Sequence, residues 1–359
     1  MSCDGKGFVA VHVGAGYHSP ANSELYEKIC KQACLQDSPW TNAGTGSNLT
    51  MQGTVECDAS IMDGQSMQYG AVGALSGVKN PVLVAVNLLE TQKQGTMSLG
   101  RIPPSTLVGD GARDWAVRNN IPTVRNQALL TDSSRKAFIK HKRKLDMLEE
   151  GFLNNHNHKA RKTEDIELVQ TNGSDDSLLQ DTVGVICVDH SGGVVSAVSS
   201  GGIVLKQPGR LGQAALYGCG CWAENSTQEQ VGVGISTSGC GEHLTKTLLA
   251  RECALCLKND DNPTTALSDT FESKFLRSPY IQTVEQKLGG ALAVKVHTTD
   301  TCGEMEVEVL WAHTTDSMCV AFMSTESSHP KALISRLPEG KRCGKSYVVQ
   351  SKCYTIAPS

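Results

Sequence analysis

The sequence has no run of apolar residues approaching the roughly 18 to 20 that a membrane-crossing helix needs, so no membrane association is expected. Its first apolar run, Phe8 to Val13, is too short for the core of a signal peptide. Cysteine is plentiful at 14 residues, but nothing marks a secreted disulfide framework, and the expectation is a reducing compartment with free thiols. The sequons at Asn48, Asn172 and Asn225 therefore read as chance matches. A large excess of one charge is also missing. The formal net charge of -4 argues against direct binding to nucleic acid by bulk electrostatics. Metal-ligand spacing is absent too. Cys253 and Cys256 have no second pair, and Cys219-Gly-Cys221 has no histidine at ligand distance, so no metal is expected. Gly340 to Ser346 falls one residue short of a phosphate loop and precedes no strand-loop-helix unit.

Glycine is present in excess, with 35 residues clustered at 13–16, 42–46, 200–202 and 238–241. Glycine lets a backbone turn or approach a ligand closely, so these clusters fit either a site built from loops converging at sheet ends or ordinary tight turns. Strands are expected at Phe8–His12, Thr182–Asp189, Val194–Ser199, Gly290–His297, Glu304–Trp311 and Met318–Ser324, with a hairpin over Ser47–Ile61. Helices are expected at Ser23–Leu35, Gly73–Ser76, Pro81–Thr91, Ser105–Val117 and Ser134–Phe152, and within Ser238–Leu257. Strands and helices each come in adjacent pairs, which favours an antiparallel sheet sandwich flanked by helices over a doubly wound parallel sheet.

Residues 154 to 177 are polar, with too little apolar surface to offset the entropy of ordering them, and read as a flexible linker. The linker delivers into Asp181-Thr-Val-Gly184. A threonine opening a strand is unremarkable in itself, because β-branched residues favour strands. A break between Asp181 and Thr182, however, would give Thr182 a free α-amino group of pKa about 7.7–8.0. The base and the hydroxyl nucleophile would then sit on one residue. Before the break that nitrogen is an amide, so self-cleavage needs another proton acceptor, which the sequence does not identify.

Asp181-Thr-Val-Gly184, Ser199-Ser-Gly-Gly202, Pro208-Gly-Arg-Leu-Gly212, Gly218-Cys-Gly-Cys-Trp-Ala-Glu-Asn225 and Thr237-Ser-Gly-Cys-Gly-Glu-His243 follow in this order. His12-Val-Gly-Ala-Gly16, Thr41-Asn-Ala-Gly44 and Cys57-Asp-Ala-Ser-Ile-Met-Asp-Gly64 lie upstream. Together they resemble the asparaginase family of N-terminal-nucleophile hydrolases over nearly the whole chain. Within it they look like the threonine-aspartase (taspase) branch, endopeptidases that cut after aspartate. The resemblance implies an α/β fold, a four-layer αββα sandwich of the N-terminal-nucleophile hydrolase type. The chain would be made whole and processed into segment 1–181, whose residues 135–181 form a basic helix and flexible linker, and segment 182–359. Thr182 would be the nucleophile, with Ser200 hydrogen-bonded near its hydroxyl. Arg210 would hold the substrate carboxylate, Ser238 and Gly239 the substrate and its developing oxyanion, and Gly14 and Asn42 would complete the pocket. No cofactor is implied.

Asparaginases of this fold read Gly-Arg-Val-Gly-Asp, and that acid pairs with the α-ammonium of a small substrate. Here the position is the neutral Gln213. An aspartate inside a polypeptide has no α-ammonium, so Gln213 suits an internal aspartate and withholds a pairing commonly worth ~2–5 kcal/mol. The alternatives are an asparaginase or isoaspartyl peptidase acting on small substrates, and a catalytically silent binding partner. The silent form is considered because only two residues separate Cys34 from Asp37, where the family carries a helical segment. The basic clusters Lys140, Lys142, Arg143, Lys144 and Lys159, Arg161, Lys162 read as a solvated helix face and linker or as a bipartite nuclear import signal. The resemblance implies the import machinery as partner, residence in nucleus and cytoplasm, and nuclear transcription regulators with internal aspartate as protein substrates. It also implies a homo-oligomer, a dimer of processed heterodimers.

Overall fold

The computed structural model describes residues 6–33, 42–154, 182–227, 230–298 and 304–357, with nothing said of the side chains of 150–154. Asp181, the short connection at 34–37, the linker and the second basic cluster lie outside the described residues. Ahead of the linker come β1 (Phe8–Gly16), α1 (Ser23–Ala33), β2 (Cys57–Asp63), β3 (Tyr69–Leu75), α2 (Pro81–Lys93), β4 (Thr106–Val108), α3 (Gly109–Arg118) and α4 (Asp132–Asn154). After it come β5 (Val183–Val188), β6 (Val194–Ser200), β7 (Cys221–Glu224), β8 (Gly232–Gly239), α5 (Gly241–Thr247), α6 (Leu249–Asn259) and α7 (Pro263–Asp269). The chain closes with β9 (Gly289–Thr298), β10 (Met305–His313), β11 (Ser317–Ser324), β12 (Lys331–Arg336) and β13 (Val348–Ile356).

These strands form two sheets, ordered β12-β11-β1-β5-β6-β2-β3-β4 and β13-β10-β9-β8-β7. All pairings between named strands are antiparallel except β3 with β4. The sheets face each other, with β5 and β6 against β8 and β1 against β9. Strand β5 shows why. Gly184, Ile186 and Val188 are buried at alternate positions, and a Cβ on Gly234 would come within 2.4 Å of Ile186. α1 packs on β1, β11 and β12, α2 and α3 on β3, α6 on β7 and β8, and α7 on β10 and β13. In the first sheet β5 and β6 lie between β1 and β2, so strands from before and after residue 182 interleave.

Most expected elements are found, and three differ. Gly73–Ser76 is not helical: Tyr69–Leu75 is strand β3, buried along its whole length. Its small residues carry no helical period, and Gly70 lets α2 approach so closely that a Cβ there would lie 2.0 Å from the Ala85 carbonyl oxygen. Ser105–Val117 divides into β4 and α3, the change falling at Gly109 with φ +52. The helix expected within Ser238–Leu257 is present, after the end of β8, as two helices parted at Leu248, whose φ is 49. The Ser47–Ile61 hairpin shrinks to a bridge between Leu49 and Val55, after which β2 pairs with β3 and β6. Strands β7, β8, β12 and β13 have no counterpart in the sequence reading.

Candidate active site

Thr182 immediately precedes β5 and is 6% exposed. Val183 pairs with Ser199 in the antiparallel ladder, which sets Thr182 beside Ser200 at the end of β6. The Thr182 hydroxyl donates to Ser200 Oγ at 2.9 Å. Ser200 Oγ also accepts from the Gly202 amide at 3.0 Å, so the turn after β6 holds it in place. Asn42 braces that turn. Its carbonyl accepts from the Gly201 amide at 2.6 Å and its Nδ2 donates to the Gly202 carbonyl at 2.9 Å. Asn48 Nδ2 donates to the same carbonyl at 2.8 Å. A Cβ on Gly201 would stand 2.3 Å from Asn42 Oδ1, so glycine is required there for the two loops to meet.

Gly14 and Ser238 meet on the other side. Ser238 is 1% exposed and its Oγ accepts from the Ala15 amide at 2.9 Å, tying β8 to the irregular end of β1. Gly14, at φ +106, donates to His12 Nδ1 at 3.4 Å. His12 Nε2 lies 2.9 Å from Ser236 Oγ. Burial pushes the His12 imidazole down to about 3, partly offset by a backbone hydrogen bond at Thr182, so the ring is neutral near pH 7. His12 thus links the Gly14 turn, β8 and the backbone of the candidate nucleophile. Gly239, at φ +135, pairs with Gly289, where a Cβ would meet the Gly289 Cα at 2.7 Å.

Arg210 lies on the loop between β6 and β7. Its Nε donates to Glu242 Oε1 at 2.8 Å and its Nη2 to Oε2 at 2.6 Å. Burial opposes the guanidinium charge, but Glu242 outweighs it and holds Arg210 above the ordinary arginine range. Glu242 is correspondingly held down by Arg210, against the effect of its own burial. Gln213 is 3% exposed, and its Nε2 has no hydrogen-bond partner among the described residues. The loop that carries Arg210 and Gln213 is pinned to β2 and the turn before it. Asp58 Oδ2 accepts from the Gly212 amide at 2.8 Å, and Lys206 Nζ donates to the Glu56 carbonyl at 2.6 Å. Burial raises the Asp58 carboxyl, while Lys206 and the amides of Ala74 and Gly212 draw it back.

The structure therefore brings Thr182, Ser200 and Asn42 into one hydrogen-bonded group, joins Gly14 to Ser238 through adjacent residues, and pairs the Nε–Nη2 edge of Arg210 with Glu242. Glu242, His12, Asp58 and Lys206 were given no role by the sequence reading. The first three lie inside the quoted motifs, but only folding reveals their partners. No group of three or more His, Cys, Asp or Glu able to hold a metal occurs among the described residues.

The sequence profile of the Asparaginase_2 family, described as asparaginase, matches residues 24–329. The chain is 36% identical over 217 residues to a Bos taurus isoaspartyl peptidase/L-asparaginase, covering 60% of this chain and 58% of that one. It is 34% identical over 242 residues to the Homo sapiens protein of that name, covering 67% and 66%, and 28% identical over 280 residues to the Danio rerio one, covering 78% and 76%. The alignments to the bovine and human relatives thus span less than two thirds of those relatives' own length.

Proposed function

The chain belongs to the Asparaginase_2 family of hydrolases, and on that premise we propose that it is a threonine endopeptidase that frees Thr182 by self-cleavage and cuts protein substrates after aspartate. The fold would be the four-layer αββα arrangement, with segments 1–181 and 182–359 remaining together through the interleaved first sheet. The observation that carries the endopeptidase reading is Gln213, a buried neutral amide next to the Arg210 loop where a small-substrate enzyme needs an acid.

In the proposed mechanism the freed α-amine of Thr182 takes the hydroxyl proton, and Thr182 Oγ1 attacks the carbonyl carbon after the substrate aspartate. Before the step the Thr182 hydroxyl donates to Ser200 Oγ at 2.9 Å; as the amine takes that proton, the Ser200 hydroxyl turns to donate to Thr182 Oγ1 and keeps the nucleophile oriented. Arg210 binds the aspartate side-chain carboxylate, and the Ser238–Gly239 region steadies the oxyanion. The amine protonates the leaving nitrogen, the C–N bond breaks, and water hydrolyses the resulting ester. Protein substrates with internal aspartate, entry to the nucleus through the bipartite basic clusters at 140–144 and 159–162, and a dimer of processed heterodimers belong to the same proposal.

A second reading is isoaspartyl peptidase or asparaginase activity on small substrates, the name its relatives carry. Glu242 favours it, since it sets a half-exposed carboxylate beside Arg210 that could receive an α-ammonium. Purified protein incubated with an acetylated peptide containing one internal aspartate, with L-asparagine, and with a β-aspartyl dipeptide separates the two. Thr182→Ala serves as the inactive control, and intact mass reports the 181/182 break. Turnover of the internal-aspartate peptide alone is expected. Turnover of the small substrates alone would replace the first reading with the second.

A further inference from the structure

We infer that Glu242 is a positioning residue that caps one edge of the Arg210 guanidinium and leaves the opposite edge for a substrate carboxylate. The inference rests on the assignment of Arg210 as the carboxylate holder. A guanidinium presents five N–H groups in a plane, enough for two carboxylates on two edges. Glu242 takes the Nε–Nη2 edge with both of its oxygens, at 2.8 and 2.6 Å. Nη1 makes no hydrogen bond to a described residue. It lies 2.9 Å from where a Cβ on Gly202 would stand and 3.0 Å from one on Gly212, so it faces the turn that carries Ser200. Nη2 lies 2.8 Å from the Cβ position of Gly241, with Gln213 Oε1 3.0 Å from the same point. A side chain at any of these three glycines would crowd Nη1 or Nη2, and the unpartnered Gln213 Nε2 belongs to the side chain beside them.

The two side chains differ in freedom. The Arg210 side chain is 14% exposed, whereas that of Glu242 is 50% exposed. Glu242 therefore braces Arg210 from the solvent side, and the open edge is turned inward. An unbraced arginine would spread over several rotamers and offer the inward edge for only part of the time. Glu242 has no role in the bond-breaking steps, so its loss is read in substrate affinity.

The test uses the processed protein with Glu242→Ala, Glu242→Gln and Glu242→Asp, folding being checked by urea unfolding. The measurements are KM and kcat on the internal-aspartate peptide, and the Kd for N-acetyl-L-aspartate and for L-aspartate by calorimetry. Glu242→Ala is expected to raise KM and Kd by about tenfold or more, with the change in KM far exceeding that in kcat. Glu242→Gln, which keeps one acceptor oxygen, should fall between Ala and wild type. Unchanged or tighter binding in Glu242→Ala would overturn the inference, the tighter result identifying Glu242 as an occupant of the subsite. A wild type that binds neither aspartate would overturn both the inference and the role of Arg210. A wild type that binds aspartate and weakens in Glu242→Ala, yet leaves the peptide uncut, would sink the endopeptidase reading alone.

Discussion

At the level of single residues, the candidate nucleophile depends on one short hydrogen bond. Thr182 donates to Ser200 Oγ, and both side chains are buried. Ser200→Ala leaves a buried hydroxyl without its acceptor, a loss of about 1–3 kcal/mol. We expect turnover after self-cleavage to fall by about 10- to 100-fold, measured as kcat on whichever substrate the wild type accepts. Gln213→Asp restores an acid beside Arg210. It should raise kcat/KM for L-asparagine and lower it for an internal-aspartate peptide, and a variant with unchanged preference would remove Gln213 from the specificity argument. Thr182, Ser200, Arg210 and Gln213 were all legible in the sequence, because each stands in a short stretch whose order resembles one family. Glu242 stands in such a stretch too. Its importance was hidden because it lies 32 residues from Arg210 and meets it only across the folded loop.

Among the elements, β5 is the one on which the site depends, and its second residue tolerates no side chain. A Cβ on Gly184 would fall 1.8 Å from Ser236 Oγ and 2.3 Å from His12 Nε2. Gly184→Ala therefore has to displace β8 or β1, an overpacking cost of about 1–3 kcal/mol or more. The expected outcome is a lower urea midpoint together with slower appearance of the 181/182 fragments; a midpoint equal to wild type would mean that the two sheets separate more easily than these distances imply. The reading of β5 and β6 from sequence succeeded because β-branched residues flank a short polar turn. That of β3 failed because alanine and glycine have no strong preference, and its strand form is imposed by α2 and by its neighbours β2 and β4.

For the whole molecule, pH provides a test of how the buried histidines are held. His12 is pushed down to about 3, and His18 and His313 to about 4, in each case chiefly by burial. Their folded values lie below the unfolded value of about 6.5, so the unfolded chain binds more protons in the interval between. Their contribution to stability is complete above that unfolded value and is lost as pH falls toward 4, by about 1.4 kcal/mol per pH unit for each ring. Urea midpoints measured from pH 7 to pH 4.5 should decline, and His313→Gln should flatten the decline. Strand order gives a second expectation. Because β5 and β6 lie between β1 and β2, fragments 1–181 and 182–359 should co-elute in native buffer and part only in denaturant. Separation without unfolding would be incompatible with a shared sheet.

The sequence by itself determined the family-like order of motifs, the threonine behind a polar linker, the neutral residue after Gly212, and most strands and helices whose apolar residues repeat with a clear period. These are local properties, fixed by neighbours along the chain. Tertiary structure alone decided the pairing of Arg210 with Glu242, the burial and neutrality of His12, and the anchoring of the 200–213 loop by Asp58 and Lys206. It also decided the strand identity of Tyr69–Leu75. Each of these depends on desolvation or on contact between residues distant in sequence, and the chain acquires both only when the two sheets close on each other.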